Sequence, residues 1–384
     1  MKKSDKFISP GNIGDKLRRK RNAYLTLIRK YPGIFRQECA KRMQISTFNS
    51  TKLAASLIEE GYILEKQTKP TGNVSRGRPT LPLFINPDFE YFAGVDFEAN
   101  RWRFVITDFA GNLIHSQTVP FLRCDNRQGY IKQLENLLLT AIQAAGNLWS
   151  KVTALGIATP GFLNEVAGTI ERYEILPEFI DIPLRNIYSQ LSDKPVFVIN
   201  NTVTLAIYDN WKKPEVAEDI VLYIAIRSGI SSVLNIYGKI YRGSQAKSGE
   251  LGLAFTTNHN FLQDITGLNA LQQQLQPVSD NVWQEKMQIT DQKYNKNRQV
   301  FDSAIQALAI TLANTAAVLA PDKIVIYSLL FSEPNILWRK LEDEFTVLRS
   351  KQHLPIIPLL RSENSELNEA IGVALFAMES VYSI

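Results

Sequence analysis

Residues 197–206 read FVINNTVTLA, an apolar run that stops at two adjacent asparagines, Asn200 and Asn201, and resumes as small and β-branched residues. An amide donates and accepts hydrogen bonds but, unlike a carboxylate, is no proton shuttle. A strand that ends on two amides, with no acid beside them, can therefore hold a ligand without transforming it. The other use of such a pair is local, because Asn side chains often bond backbone at strand ends.

A second set of residues with chemical potential is basic. Residues 1–85 contain 18 Lys and Arg against 6 Asp and Glu, a balance of +12, whereas the rest of the chain carries 25 against 32, or −7. A block this basic beside an acidic body points to a polyanion partner, since phosphate neutralisation is the sequence-independent source of nucleic-acid affinity. Charge alone is equally compatible with a solvated basic face. Within the block, Ser75-Arg76-Gly77-Arg78-Pro79 places two arginines around a glycine. Gly77 permits close backbone approach and Pro79 stiffens it, so both guanidinium groups can enter a narrow minor groove, where A·T tracts concentrate negative potential. A flexible basic linker has the same composition.

The elements around these residues favour nucleic acid. DKLRRKRNAYLTLIRKYP spaces Leu17, Ala23, Leu25, Leu27 and Ile28 at near-helical intervals and predicts a first helix ending before Pro32. FRQECAKRM predicts a short second helix, and in the turn MQIS the Ser46 hydroxyl can cap the next one. That third helix, TFNSTKLAASLIEEG, is expected to bury Leu53, Leu57 and Ile58 and to stop at Gly61. Helix, short turn, helix is the helix-turn-helix plan, in which the second member lays its N-terminal residues on the DNA. Here those are Thr47, Asn49, Ser50, Thr51 and Lys52. YILEKQTKPTGNVSRGRPTLPLFIN then reads as strand, loop, strand, which is a β-wing with Arg76, Gly77 and Arg78 at its tip.

From residue 87 the character changes. Two alternating strands, Phe92 to Asp96 and Arg103 to Asp108, precede a turn at Ala110-Gly111-Asn112 and a third strand. Helical and strand patterns then alternate, through KPVFVINN and TVTLAIYDNW, in the manner of an α/β layered domain, and a second such set follows from residue 221. With 384 residues, 45% hydrophobic and 21% charged, the chain has the composition of a globular protein of two or three domains. No stretch approaches the roughly 18 apolar residues of a membrane span, and the charged start lacks a following apolar segment, so a cytoplasmic protein with no membrane partner is expected. Cys39 and Cys124 are too few for a disulfide framework or a cysteine-rich zinc site.

GIATPGFLNEVAGTI (156–170), INNTVTLA (199–206), IYGKIYRGSQAKSGELG (236–252) and GVDFEANRWRFVITDFAGNLI (94–114) together resemble the ROK family, which joins repressors, open reading frames and sugar kinases. The front end resembles its repressor branch. The resemblance implies a winged helix-turn-helix at 1–86 on an actin-like, ribonuclease H-like α/β body of two lobes, the smaller at 87–199 plus 365–384 and the larger, with a dimerisation surface, at 200–364. It also implies that Asn200, Asn201 and Glu250, with Gly161 of the GIATPGF motif, fall at positions that contact a sugar.

Departures from the family's kinases bear on chemistry. Their first hairpin resembles D-x-G-x-T and wraps phosphate; here Asp96-Phe97-Glu98-Ala99-Asn100 puts a carboxylate where a phosphate would approach. Their second phosphate loop resembles G-T-G-x-G; here it is Arg227-Ser228-Gly229-Ile230-Ser231, two glycines short, although Arg227 could still attract an anion. Tyr327-Ser328 replaces a glycine pair in the adenosine loop, and Asn200-Asn201 replaces Asn-Asp, whose Asp is the kinase base. The family's zinc is also unsupported, since Leu253 takes the His place, 254–275 contain no Cys, and His259 stands alone. The expected protein is a DNA-binding transcriptional repressor of carbohydrate metabolism with a catalytically dead effector domain, no catalytic residue, no metal and no cofactor. Its expected partners are double-stranded DNA with an A·T-rich, near-palindromic operator, a sugar or sugar-phosphate effector, and its own copies in a homodimer or tetramer. A body that only dimerises or docks proteins, and a residual sugar kinase, are the alternatives.

Overall fold

In this computed structural model the described residues are 13–66, 81–173, 175–213, 218–257, 259–275, 291–331, 336–362 and 366–382. The basic segment folds as α1 (Ile13–Lys30), α2 (Arg36–Arg42) and α3 (Thr47–Glu59), followed by an antiparallel pair, β1 (Ile63–Glu65) and β2 (Leu83–Ile85). Ser46 caps α3 by accepting from the Asn49 amide at 3.2 Å. Gly61 ends it at φ +84°, where the Gly61 and Tyr62 amides turn back to the Ile58 and Leu57 carbonyls. Tyr24, Leu25 and Ile28 of α1 pack with Ala54 and Leu57 of α3, while Leu53 and Ile58 are only partly buried. Leu17 and Ala23, expected on the same face, are exposed. Arg21 already meets Glu60 at the end of α3, so Leu17, one turn earlier, lies beyond the reach of that helix. The stretch with Arg76, Gly77 and Arg78 lies outside the described residues.

The body repeats one topology. Its first part runs β3 (Tyr91–Phe97), β4 (Arg101–Asp108), β5 (Leu113–Pro120), α4 (Arg127–Ala145), β6 (Val152–Thr159), the hairpin β7 (Phe162–Asn164) and β8 (Thr169–Arg172), α5 (Leu184–Ser192), β9 (Val196–Asn200) and α6 (Asn201–Lys212). The second runs β10 (Ile220–Ile226), β11 (Ile230–Ile236), β12 (Lys239–Tyr241), α7 (Gln263–Thr266), α8 (Leu268–Gln274), α9 (Asp291–Lys296), α10 (Arg298–Leu319), β13 (Lys323–Ser328), α11 (Ile336–Lys351), β14 (Leu359–Arg361) and α12 (Asn368–Tyr382). The sheets are ordered β5-β4-β3-β6-β9 and β12-β11-β10-β13-β14, each an antiparallel meander extended by two parallel strands. The α11 and β14 elements were not anticipated from the sequence.

The returning chain end binds the layers together. Helix α12 lies against β3, β4 and β6 and also against α6. It comes so close that a Cβ on Gly94 would sit 2.1 Å from the Ala370 carbonyl oxygen, and one on Gly372 2.1 Å from that of Thr204. Only glycine admits this approach. A continuous apolar cluster joins Tyr24 and Ile63 of the N-terminal module to Phe92 and Phe109 of the first sheet and Met378 of α12. Helix α10 is long and apolar enough to cross a membrane on length and composition alone. Here it buries Phe301, Ile305, Leu308 and Leu312 in the core of the second lobe, against α11.

Candidate functional site

A cleft of about 1060 Å³ lies between the two sheets, and Gly161, Asn200, Asn201 and Glu250 all line it. Their positions follow from local chemistry. Strand β9 delivers Asn200 to the lobe boundary, where its Oδ1 caps α6 by accepting from the Thr202 amide at 2.9 Å. One lone-pair site of Asn200 is thus used locally, the second of the two uses open to it. Asn201, the first residue of α6, is 4% exposed and forms part of the cleft wall. Gly161 has φ +77°, and a Cβ there would meet the Arg172 carbonyl oxygen at 2.5 Å, so the cleft edge has no room for a side chain. Glu250 is exposed at the opposite edge, ahead of a short 3₁₀ turn.

The other end of the cleft is lined by charge. Asp96 and Glu98 of the first hairpin, Arg103 of β4, Arg227 after β10 and Glu369 of α12 form one cluster. Arg103 donates to Asp96 Oδ2 at 2.6 Å and to Glu98 Oε2 at 3.2 Å, and Arg227 Nε lies 3.5 Å from Glu98 Oε1 while its Nη2 donates to Glu369. Two corrections follow. Arg227 is not available to attract an anion, because its guanidinium is engaged by two carboxylates. Glu98 does not act as a bare charge repelling phosphate either, because Arg103 and Arg227 pair with it on the cleft wall.

Burial sets the protonation of this cluster. Burial works against the Glu98 charge, but Arg227 and Arg103 outweigh it and hold its carboxyl below the usual range. Burial likewise opposes the Arg103 charge, and Asp96, Glu98 and Glu369 more than offset it, raising the pKa of the guanidinium. Three carboxylates face two guanidinium groups, so one negative charge is uncompensated. Two acids share it: burial pushes the pKa of Asp96, which is fully buried with its Oδ1 unpartnered, up to about 7 against the pull of Arg103, and raises that of Glu369 against the pull of Arg227.

The N-terminal face of α3 is the other candidate site. Thr47, Asn49, Thr51 and Lys52 are all exposed along its first turns. Ser50 is the exception and a correction: it is 0% exposed, donates to the Arg36 carbonyl at 2.6 Å and shares a hydrogen bond with the Tyr24 hydroxyl at 2.9 Å. It stands at i−4 and i−7 from buried Ala54 and Leu57, a spacing that places it on the core face. Phe48, passed over in the sequence, is 77% exposed beside Thr47 and Asn49.

The residues present do not fit the zinc that the family resemblance implies. Leu253 ends a 3₁₀ turn, His259 is exposed, and Phe255 stacks on Phe261 with centroids 5.0 Å apart, so an aromatic pair braces this loop. Among the described residues no group of three or more His, Cys, Asp or Glu is placed to hold a metal ion.

Two lobes of one topology around a cleft, behind a three-helix module, define a bilobed α/β body with an appended N-terminal segment. The chain belongs to the ROK family, whose model matches residues 92–380. It is 24% identical over 232 residues to the xylose repressor of Caldicellulosiruptor bescii, a match covering 60% of this chain and 56% of that protein. The chain therefore matches little more than half the length of that relative. Over 381 residues, 93% of this chain and 91% of the relative, it is 21% identical to the DNA-binding transcriptional dual regulator NagC of Escherichia coli. Its fold is similar to that of a ROK family transcriptional regulator described as a homologue of the E. coli MLC protein, with a TM-score of 0.72, 19% identity and coverage of 95% and 97% of the two chains. A ROK hexokinase from Thermus thermophilus shares the fold over 77% of this chain and all of the hexokinase, with 20% identity and a TM-score of 0.60.

Proposed function

We propose that this protein is a sequence-specific DNA-binding repressor of carbohydrate genes whose kinase-like body binds a sugar and does not phosphorylate it. The observation that carries this reading is the state of the cleft. One end keeps Asn200, Asn201, Glu250 and Gly161 on the wall, while the other is lined by Arg103, Arg227 and the carboxylates paired with them. Amides and carboxylates pair with vicinal hydroxyls. The aspartate expected to take the proton is replaced by Asn201 and both phosphate loops are altered, which supports binding without phosphoryl transfer.

DNA recognition is assigned to residues 1–86 as a winged helix-turn-helix. Thr47, Asn49, Thr51 and Lys52 read the major groove, and Arg76 and Arg78, flanking Gly77, take the minor groove of an A·T-rich flank. Residues 87–199 with 365–384 form the smaller lobe and 200–364 the larger, which carries the contact between copies. A helix-turn-helix reads a half-site, so two copies on a near-palindromic operator follow. Relatives named as xylose and N-acetylglucosamine repressors make those two sugars the first effectors to try.

The test combines thermal shift with turnover. A sugar that binds the native state raises the melting temperature by mass action, and Glu250→Ala should abolish the rise. ATP consumption should stay at background with that sugar present. Sugar-dependent turnover that disappears with Asn201→Ala would establish a kinase instead, and no shift by any sugar at millimolar concentration would leave the body as a dimerisation or docking module.

A further inference from the structure

Phe48 is the most exposed large apolar side chain of the described N-terminal segment, at 77% against 53% for Leu17 and 41% for Phe35. Its place in α3 removes the ordinary reasons for an aromatic ring near a helix start. With Ser46 as the cap, the apolar pair that staples a helix entry would be Ile45 and Ser50, so Phe48 has no part in capping. It is two residues from Ser50, which is buried, and two residues turn a helix by about 200°, so the ring faces away from the core. Its neighbours on that face, Thr51 and Lys52 at i+3 and i+4, are exposed and polar. An isolated exposed ring needs no explanation on most surfaces. Here it is centred in the very stretch whose other exposed members are hydrogen-bonding groups and a cation.

The major groove offers one apolar feature, the 5-methyl group of thymine, and a phenyl ring can contact it without satisfying any donor or acceptor. The surrounding charge favours the same occupant, since residues 1–85 carry a balance of +12 and would repel an equally basic surface. We propose that Phe48 is a specificity-determining residue that reads thymine through its 5-methyl group, while Thr47, Asn49, Thr51 and Lys52 supply polar contacts around it. This rests on the reading of α3 as the recognition helix. A second copy of the chain packing on the ring is the competing occupant.

The full-length protein would be used to select duplexes from a random pool, and each thymine of the selected site replaced in turn by deoxyuridine, which lacks only the methyl group. Fluorescence anisotropy should show a three- to tenfold loss of affinity at one or two positions per half-site and none elsewhere. Phe48→Ala should lose a similar factor on the thymine duplex and become insensitive to the uridine replacement at those positions, because the two changes remove one contact. Its melting temperature should be unchanged. Uniform tolerance of uridine, or an equal loss for Phe48→Ala on both duplexes, would overturn the proposal while leaving DNA binding intact. Failure of the wild type to select any duplex would overturn the DNA-binding reading itself. Loss of self-association in Phe48→Ala, by sedimentation, would assign the ring to a contact between copies.

Discussion

The guanidinium of Arg29 lies over the indole of Trp211, 3.9 Å from the ring centroid, and so joins the N-terminal module to the far end of the helix whose first residue lines the cleft. Arg29 also lies 5.5 Å from the Phe109 ring centroid and 3.6 Å from Met378 Sδ, and Trp211 Nε1 donates to Glu379 at 2.8 Å. Burial pulls the Arg29 pKa below its ordinary value, opposed by Glu379. Helix α6 thus has Asn200 and Asn201 at one end and Trp211 at the other, with Asn201 and Trp211 about 15 Å apart along its axis.

Replacing Arg29 with Met keeps the packed stem and removes the cation. Loss of the cation–π contact and of the favourable charge near half-buried Glu379 should cost about 1–2 kcal/mol, read as a fall of several degrees in melting temperature. Trp211→Leu should weaken the effect of a bound sugar on DNA affinity more than it weakens DNA binding itself. Sugar response unchanged in both variants would show that α6 does not link the two sites.

The charge cluster predicts a pH dependence. The Asp96 pKa is raised when folded, to about 7, so its contribution to stability is fully present below the unfolded value near 4 and is lost as pH rises through about 7. Asp96→Asn removes that titration. The melting temperature of the variant should fall less than that of the wild type between about pH 5 and pH 8, whatever its absolute value, and parallel profiles would contradict the assignment.

Restoring the base should not restore a kinase. Asn201→Asp returns a carboxylate to the strand end, but Arg103 and Arg227 remain paired with their acids on the wall of the cleft. No sugar-dependent ATP turnover is expected in a coupled assay. Turnover appearing in this single variant would mean that the cluster opens for a nucleotide.

Ser50 and Asn49 should separate folding from recognition. Ser50→Ala leaves the Tyr24 hydroxyl and the Arg36 carbonyl without their shared partner, at a cost of about 1–2 kcal/mol, with DNA affinity unchanged where the protein is folded. Asn49→Ala should do the reverse, weakening DNA binding with little change in stability beyond a few tenths of a kcal/mol.

Features set by local chemistry were legible in the sequence. The Ser46 cap, the Gly61 stop and the turn at Ala110-Gly111-Asn112 depend on residues within a few positions of each other, and residue type identifies them. The strand end at Asn200 follows from the apolar run before it. Long-range pairing was not legible: Arg227 and Glu369 are 142 residues apart, and nothing beside either names the other. Arg103 carried a weak signal as a cation within an otherwise buried strand. Ser50 carried a stronger one, since its spacing to Ala54 and Leu57 marks the core face of α3, and hydroxyl chemistry was weighed ahead of periodicity.

The central claim joins a basic DNA grip to a cleft that binds without reacting. Its most direct test is the affinity of the full-length protein for a selected duplex, measured from about 50 to about 200 mM salt with and without a sugar that raises its melting temperature. The account predicts affinity that falls steeply and log-linearly with salt and shifts when the sugar is added. Affinity that ignores both salt and sugar would contradict it.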